Sequence, residues 1–270
     1  MKPARVITDS ISATGVRVTT LEVTMHRFVL AEFNTHRAFS RNSASSRARP
    51  ISKVIASITE SPAIPYEWGT NQAGMTPAPP LTGTDAEYCT GVWLEARDAA
   101  IEFAKKLDAM NVHKSYVNRL LEPFAEHVCI VTSTEWENFY KQRCHKDAQG
   151  EIRVPAEEIE AAIAASTPKL LAYGEWHTPF VQDDEQHLSW KEKIELSVAR
   201  CARVSYLNHD GKRDIAADLK LYSRLASQSP PHLSPFEHVC TPAKPSEYIL
   251  SNFEGWNQAR GLIVAGKLDL

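Results

Sequence analysis

Leu21-Glu22-Val23-Thr24-Met25 alternates apolar and polar side chains with the two-residue period of a half-buried strand, and the pattern predicts a strand over residues 18–25. Phe28-Val29-Leu30-Ala31-Glu32-Phe33 drops the alternation and is apolar enough for a core helix, expected over residues 26–38 with His36 and Arg37 at its end. From Val92 to Met110 a helical spacing returns in Trp93, Ala96, Ala100, Phe103, Leu107 and Met110, the stripe of an amphipathic core helix. Pro155 suits the first turn of a helix reaching about Ala165. A further helix over Asp214 to Ser227 sets Ile215, Leu219, Tyr222 and Ala226 on one face. The interval 60–84 carries Pro62, Pro65, Pro77, Pro79, Pro80, Gly69, Gly74 and Gly83, too many breakers for either element. It reads as a long loop insertion, and Tyr66, Trp68 and Met75 favour an interface arm or lid over disorder. No internal repeat or low-complexity tract interrupts the chain.

Composition narrows the class without choosing a function. With 270 residues and 43% apolar content the chain can bury one substantial core or two modest ones. Cys89, Cys129, Cys144, Cys201 and Cys240 show no CxxC spacing, so neither a zinc site nor a disulfide framework is expected. No apolar run approaches membrane-spanning length and the N-terminus lacks a signal-peptide layout, which makes the cytoplasm the expected location. A formal net charge of -3 speaks against a general nucleic-acid binder.

Positive charge is concentrated in one place. From Thr35 to Arg49 the chain has four arginines and no acid, interleaved with Ser40, Asn42, Ser43, Ser45 and Ser46. Guanidinium forks grip phosphate oxygens bidentately, and short hydroxyl and amide groups orient a base or sugar. A solvated Ser/Arg arm is the bland alternative, but the predicted strand and helix upstream deliver these side chains from an ordered scaffold, which a disordered arm lacks.

This run resembles the signature of the flavin-dependent thymidylate synthases, with His36, Arg37, Ser40, Asn42, Ser45 and Arg47 in register. Thr35 stands where that family has its first Arg, Ser43 where it has Glu, Glu32 where it usually has a nucleotide-contacting Gln, and Asp147 where it often has His. Asn118-Arg119-Leu120-Leu121-Glu122-Pro123 resembles the family's phosphate-binding arginine segment, and Asn138-Phe139-Tyr140-Lys141-Gln142-Arg143 with Ala148-Gln149-Gly150-Glu151-Ile152 its following block. Ala202-Arg203-Val204-Ser205-Tyr206 and His232-Leu233-Ser234-Pro235-Phe236-Glu237-His238 resemble the two N-terminal blocks, but here they follow the signature. A site assembled from several segments depends on where they meet in space, so residues 196–243 are expected to be displaced blocks of one catalytic domain spanning residues 1–270. An independently evolved extension is the competing view.

The resemblance implies an α+β fold, a mixed sheet with flanking helices of the ThyX-like kind, and a homotetramer with sites between subunits. It implies reductive methylation of dUMP at C5, with methylenetetrahydrofolate carrying the one-carbon unit, FAD the hydride and NADPH regenerating the flavin. No cysteine occupies a matched position, so a cysteine nucleophile is not expected. Carried over by position, His36, Arg37, Asn42, Asn138, Ser205, Ser234 and Glu237 would contact cofactor. Glu32, Ser43, Ser45, Ser46, Arg47, Arg119 and Arg143 would contact nucleotide, with Arg143, Arg47 and His232 nearest the chemistry.

Each has a plainer reading. Ser234 with Glu237 could form a helix capping box, and Ser205 could be an ordinary turn or cap residue. Asn42 and Asn138 could be satisfied polar residues at element ends, and Arg119 and Arg143 could be solvated. His127 and His238 are expected to be structural or surface residues, and no metal site is expected. The departures leave the substrate open: Glu32 only accepts hydrogen bonds when ionised, so another pyrimidine nucleotide, or hydroxymethylation, is an alternative. A non-catalytic nucleotide or nucleic-acid binding protein keeping the Arg/Ser cradle is another. The aromatic tail Asn252-Phe253-Glu254-Gly255-Trp256 is expected to serve core packing or a subunit contact.

Overall fold

The computed structural model describes residues 4–204 and 213–269. Its centre is a five-stranded sheet built from β1 (Arg5–Ser12), β2 (Arg17–His26), β3 (Ser40–Ser43), β6 (Glu126–Ser133) and β7 (Lys169–Leu171), in the order β3-β6-β2-β1-β7. β7 runs parallel to β1 and the other pairings are antiparallel, so the sheet is mixed. The β1–β2 hairpin turns at Gly15, whose φ of +84° favours glycine and whose N–H closes the turn on the Ser12 carbonyl.

The alternation in β2 fixes which face is apolar. Leu21, Val23 and Met25, with Cys129 and Val131 of β6, pack against Ile152, Ala156, Ile159 and Ile163 of α6 (Gly150–Ala165). Phe33 of the short α1 (Leu30–Phe33), Phe39, and Phe139 of α5 (Glu137–Arg143) close the same core at the end where the signature emerges. A second core joins α2 (Ile51–Glu60) and α3 (Gly83–Ala109) to Val117 of α4 (Lys114–Val117) and to the 3₁₀ segment Asn118–Phe124.

Thr20, Thr24 and Thr132 lie on the opposite, polar face, yet all are buried. The C-terminal third of the chain, built of α7 (Trp190–Arg203), α8 (Ile215–Ala226), α9 (Ala259–Val264) and the two-stranded ribbon β8 (Cys240–Pro242) and β9 (Trp256–Gln258), reaches this face at Thr20 and Thr132. Buried hydroxyls need partners, and two imidazoles supply them. His177 bridges Ser10 and Thr20 at 2.8 Å each, Thr20 meets Thr132 at 2.7 Å, and Thr132 meets His238 at 2.8 Å. His238 and His127 are structural, as expected, and both are buried. The tail docks as core: Phe253 and Trp256 are fully buried with Val18, Leu171 and Cys240.

Three expectations change. The helix foreseen over residues 26–38 is a 3₁₀ turn (Arg27–Val29) followed by α1, because the chain breaks after Phe33 to turn into β3. Residues 60–84 include the small hairpin β4 (Gly69–Thr70) and β5 (Ala78–Pro80), and α3 begins at Gly83. Within that interval the Tyr66 N–H donates to Glu151 and the Trp68 indole to Thr90, while Met75 is fully exposed. Pro155 sits well inside α6, not in its first turn, because the helix begins at Gly150.

Candidate functional site

The signature leaves the core at α1, turns through Thr35-His36-Arg37, and enters the sheet as β3. Two arginines hold that turn. Arg143, the last residue of α5, donates from Nε to His36 Nε2 at 2.9 Å and from Nη2 to the Thr35 hydroxyl at 3.3 Å and the Glu32 carbonyl at 3.4 Å. Arg41 Nη1 donates to the carbonyls of Phe33 and His36 at 3.3 and 3.2 Å. The carbonyls of Glu32, Phe33 and His36 already accept backbone N–H groups of the turn, and the guanidinium groups add further donors to them. The ring of His36 lies edge-on to Phe139. Burial first, and then the charges of Arg143 and Arg41, push its pKa down to about 4, so at neutral pH it is an uncharged imidazole.

A cleft of about 250 Å³ opens beside this turn, lined by Thr35, His36, Arg37, Glu135, Asn138 and Gln142 among others. Asn138 is exposed, its amide oxygen accepting from Gln142. Arg37 is exposed and makes no ion pair with the described residues. Glu32 is exposed on α1.

The other end of β3 carries a second group. Asn42 is buried and donates to the Cys201 carbonyl at 3.2 Å, and the Ser43 hydroxyl faces Cys129. Beyond it, Asn118 Nδ2 holds the carbonyls of Ser46 and Arg49 at 2.6 and 3.0 Å. Glu122 receives Arg27 at 2.9 Å and Arg119 at 2.8 Å. Burial opposes ionisation of Glu122, but Ser46 and the two arginines keep its carboxyl below the usual range. Ser45 is half-buried; Arg47 is exposed and, like Arg37, makes no ion pair with the described residues.

The third group belongs to the C-terminal segment. The 3₁₀ turn Ser234–Glu237 packs on β3, with Phe236 buried beneath it. The Ser234 hydroxyl lies 3.3 Å from His232 Nε2, and His232 is exposed. Glu237 pairs with Arg260. No capping box forms here, because Leu233 is the N-cap and caps through no side chain. Ser205 lies outside the described residues.

β3 therefore links three clusters: His36, Arg37, Asn138 and Arg143 at one end, Ser45, Ser46, Arg47 and Arg119 at the other, and His232, Ser234 and Glu237 from the far end of the chain. Sequence reasoning passed over Arg41, Arg27 and Arg260. Arg41 had a signal: in the alternating strand Ser40-Arg41-Asn42-Ser43 it shares the sheet face of Val131, its register partner on the core side.

The donor set suits anionic ligands. Arg37 and Arg47, exposed and without an ion pair to the described residues, offer forks for phosphates, and a 250 Å³ cleft admits a ring system rather than a whole dinucleotide. Thiol chemistry fits poorly. Burial pushes Cys129 and Cys144 up to about 11 and Cys201 and Cys240 higher still, so none of these four is a thiolate at neutral pH.

The model of the thymidylate synthase complementing protein family matches residues 12–169, a span that takes in β2, β3 and β6, the signature and both blocks that follow it. The chain belongs to that family. No curated protein matches it. Among solved structures it is similar to a UMP/dUMP methylase, PolB, from Streptomyces cacaoi bound with 5-Br dUMP, at 19% identity and TM-score 0.44 over 55% of this chain and 67% of that one. It is also similar to the same methylase bound with 5-Br UMP, at 14% identity and TM-score 0.48 over 60% of this chain and 87% of that one. Likeness at this level carries no further argument. The displaced blocks, residues 196–243, lie outside the matched span.

Proposed function

We propose that the chain is a flavin-dependent thymidylate synthase that converts dUMP to dTMP with methylenetetrahydrofolate and NADPH. The observation that carries this reading is the state of the signature: its scaffold positions are locked by hydrogen bonds, while Arg37 and Arg47 are held on that scaffold with their charges unspent. A protein that used the segment only to fold would have no need of two exposed guanidinium groups flanking an ordered strand.

In this reading Arg37 with Asn138 and His36 holds the flavin side, and Arg47, Ser45, Ser46 and Arg119 hold the nucleotide phosphate and sugar. His232, Ser234 and Glu237 close the site from the C-terminal segment, so residues 196–243 act as displaced blocks of a single domain. The contacts of Asn42 with Cys201 and of Gln258 with Ser40 support that continuity. Bound FAD supplies the hydride, which leaves the protein to bind, orient and polarise. Donors aimed at the pyrimidine O4 lower the barrier as charge develops on the ring. A homo-oligomer that brings the three clusters of different copies together, a tetramer on the family pattern, is part of the reading.

Glu32 favours a second reading, another pyrimidine nucleotide, since an exposed carboxylate accepts from a base edge that donates. Mass spectrometry of the product after incubation with FAD, NADPH, methylenetetrahydrofolate and dUMP, omitting each in turn, tests both. dTMP formed only in the complete mixture supports the synthase. Flavin binding without product, followed by methylation of a different nucleotide, moves the assignment to the second reading. Neither flavin binding nor product leaves a nucleotide-binding protein.

A further inference from the structure

α3 is a helix of 27 residues, about 40 Å long. It buries only one side: Ile101 and Ala104 fully, and Trp93, Ala100 and Leu107 in part, against α2, α4 and the 3₁₀ segment Asn118–Phe124. The opposite side is also apolar. Tyr88 is 73% exposed, Val92 46%, Phe103 58% and Met110 77%, and Ala96 and Ala99 between them are exposed. These positions fall at helical spacing on one stripe running the length of the element. Scattered exposed apolar residues need no explanation, but a continuous stripe of this length marks an interaction surface.

Charge along the stripe identifies the partner. Two pairs are satisfied within the helix: Arg97 with Asp98, and Lys105 with Glu102. Glu95 makes no ion pair with the described residues, and Lys106 only overlies the Phe103 ring at 4.9 Å. On the stripe itself the acids without an ion pair to the described residues, Asp85 and Glu95, lie in the N-terminal half and Lys106 in the C-terminal half, while Asp108 lies on the other side of the helix. Such a stripe complements itself when two copies run antiparallel. A two-fold axis passing between Ala100 and Ile101 sets Glu95 against Lys106 twice. The same register sets Met110 over Gly91, where nothing lies within 4 Å of an added Cβ, and brings Ala96 and Ala99 near the axis, where small side chains permit close approach. Parallel pairing would set Glu95 against Glu95. An anionic membrane surface would meet the acidic half.

We propose that this stripe is the surface on which two copies of the chain associate, their α3 helices packed antiparallel about a two-fold axis with Glu95 of each copy against Lys106 of the other. Such an interface is isologous, as two-fold contacts are. It extends the oligomer of the proposed function, on which it rests, by specifying which face two copies share.

The test is sedimentation velocity of the full chain over a hundredfold concentration range. The wild type is expected to form a dimer or a larger even-numbered assembly. Phe103→Glu and Met110→Glu, both at exposed positions, should raise the dissociation constant at least tenfold without lowering the melting temperature. Glu95→Lys and Lys106→Glu should each weaken association, and the double variant Glu95→Lys/Lys106→Glu should restore it. A chain that is monomeric throughout overturns the inference. So does an assembly indifferent to all four single variants, a double variant no better than the singles, or a monomer that instead binds anionic vesicles. A monomeric chain that still makes dTMP would sink this inference together with the oligomer of the proposed function, and leave the proposed reaction in place.

Discussion

At the scale of single residues, a guanidinium Nε–H can donate only to a lone pair, so the 2.9 Å contact from Arg143 makes His36 Nε2 the acceptor and leaves the ring proton on Nδ1. Thr35, where the family has an arginine, makes this possible, because its hydroxyl accepts a hydrogen bond from Arg143 where a second guanidinium would repel it. Arg143→Gln should therefore raise the His36 pKa from about 4 and release the tautomer, both read in the nitrogen shifts of the ring by NMR. An unchanged titration would show that Arg143 plays no part and that burial and Arg41 set it. His127, His177 and His238 are likewise buried and held near 3, by burial foremost in each. A folded-state pKa below the unfolded value of 6.5 means that the unfolded chain binds the protons first as pH falls. Stability should thus be fully present above about pH 6.5 and decline toward pH 4, each histidine contributing up to about 1.4 kcal/mol per pH unit. Urea denaturation at pH 7.5, 6 and 5 measures the slope, and a flat profile would contradict it. The signature arginines were legible in the sequence because their spacing follows a known pattern. The clamp by Arg41 was not, since its partners are backbone carbonyls that no sequence displays.

Among elements, α7 shows how a local signal and a distant partner combine. Ser189 and Glu192 form a reciprocal capping box that starts the helix, a feature readable in sequence. Its last turn carries Arg200 and Arg203 into a buried ion cluster. Arg200 meets Glu185 at 2.6 Å and Asp218 at 2.9 Å, and Arg203 reaches the other oxygen of Asp218 at 2.6 Å. The pairing with Arg200 holds the Glu185 carboxyl well below its usual range. Removing one partner strands the opposite charges away from water, so Arg200→Ala should cost about 3–5 kcal/mol in chemical denaturation. A loss under about 1 kcal/mol would mean that water reaches the cluster. α3 carries the converse lesson. The periodicity was readable, but it could not say which side meets the core. Ala96, Phe103 and Met110, expected inward, face outward, because the helix has two apolar sides and the neighbours cover only one.

For the molecule as a whole, the decisive feature is what covers the polar face of the sheet. Alternation in β2 marks Thr20 and Thr24 as the outer set, a face that an antiparallel sheet can leave to water. The C-terminal segment instead lies across it, sealed by the hydroxyl–imidazole chain and by Phe253 and Trp256. Phe253→Ala should lower stability by about 3–5 kcal/mol, seen as a fall in melting temperature, as for other large core truncations. A solubility defect without loss of stability would assign the tail to a subunit contact instead. By itself the sequence determined the apolar face of β2, the signature, its family and the block that supplies Arg143, because periodicity and residue identity are local properties. Tertiary structure alone decided that Arg143 is tied to His36, that α3 leaves an apolar stripe uncovered, and that residues from the two ends of the chain meet on β3. Each of these depends on which surfaces lie against each other, and contacts between residues far apart in sequence leave no trace in local periodicity.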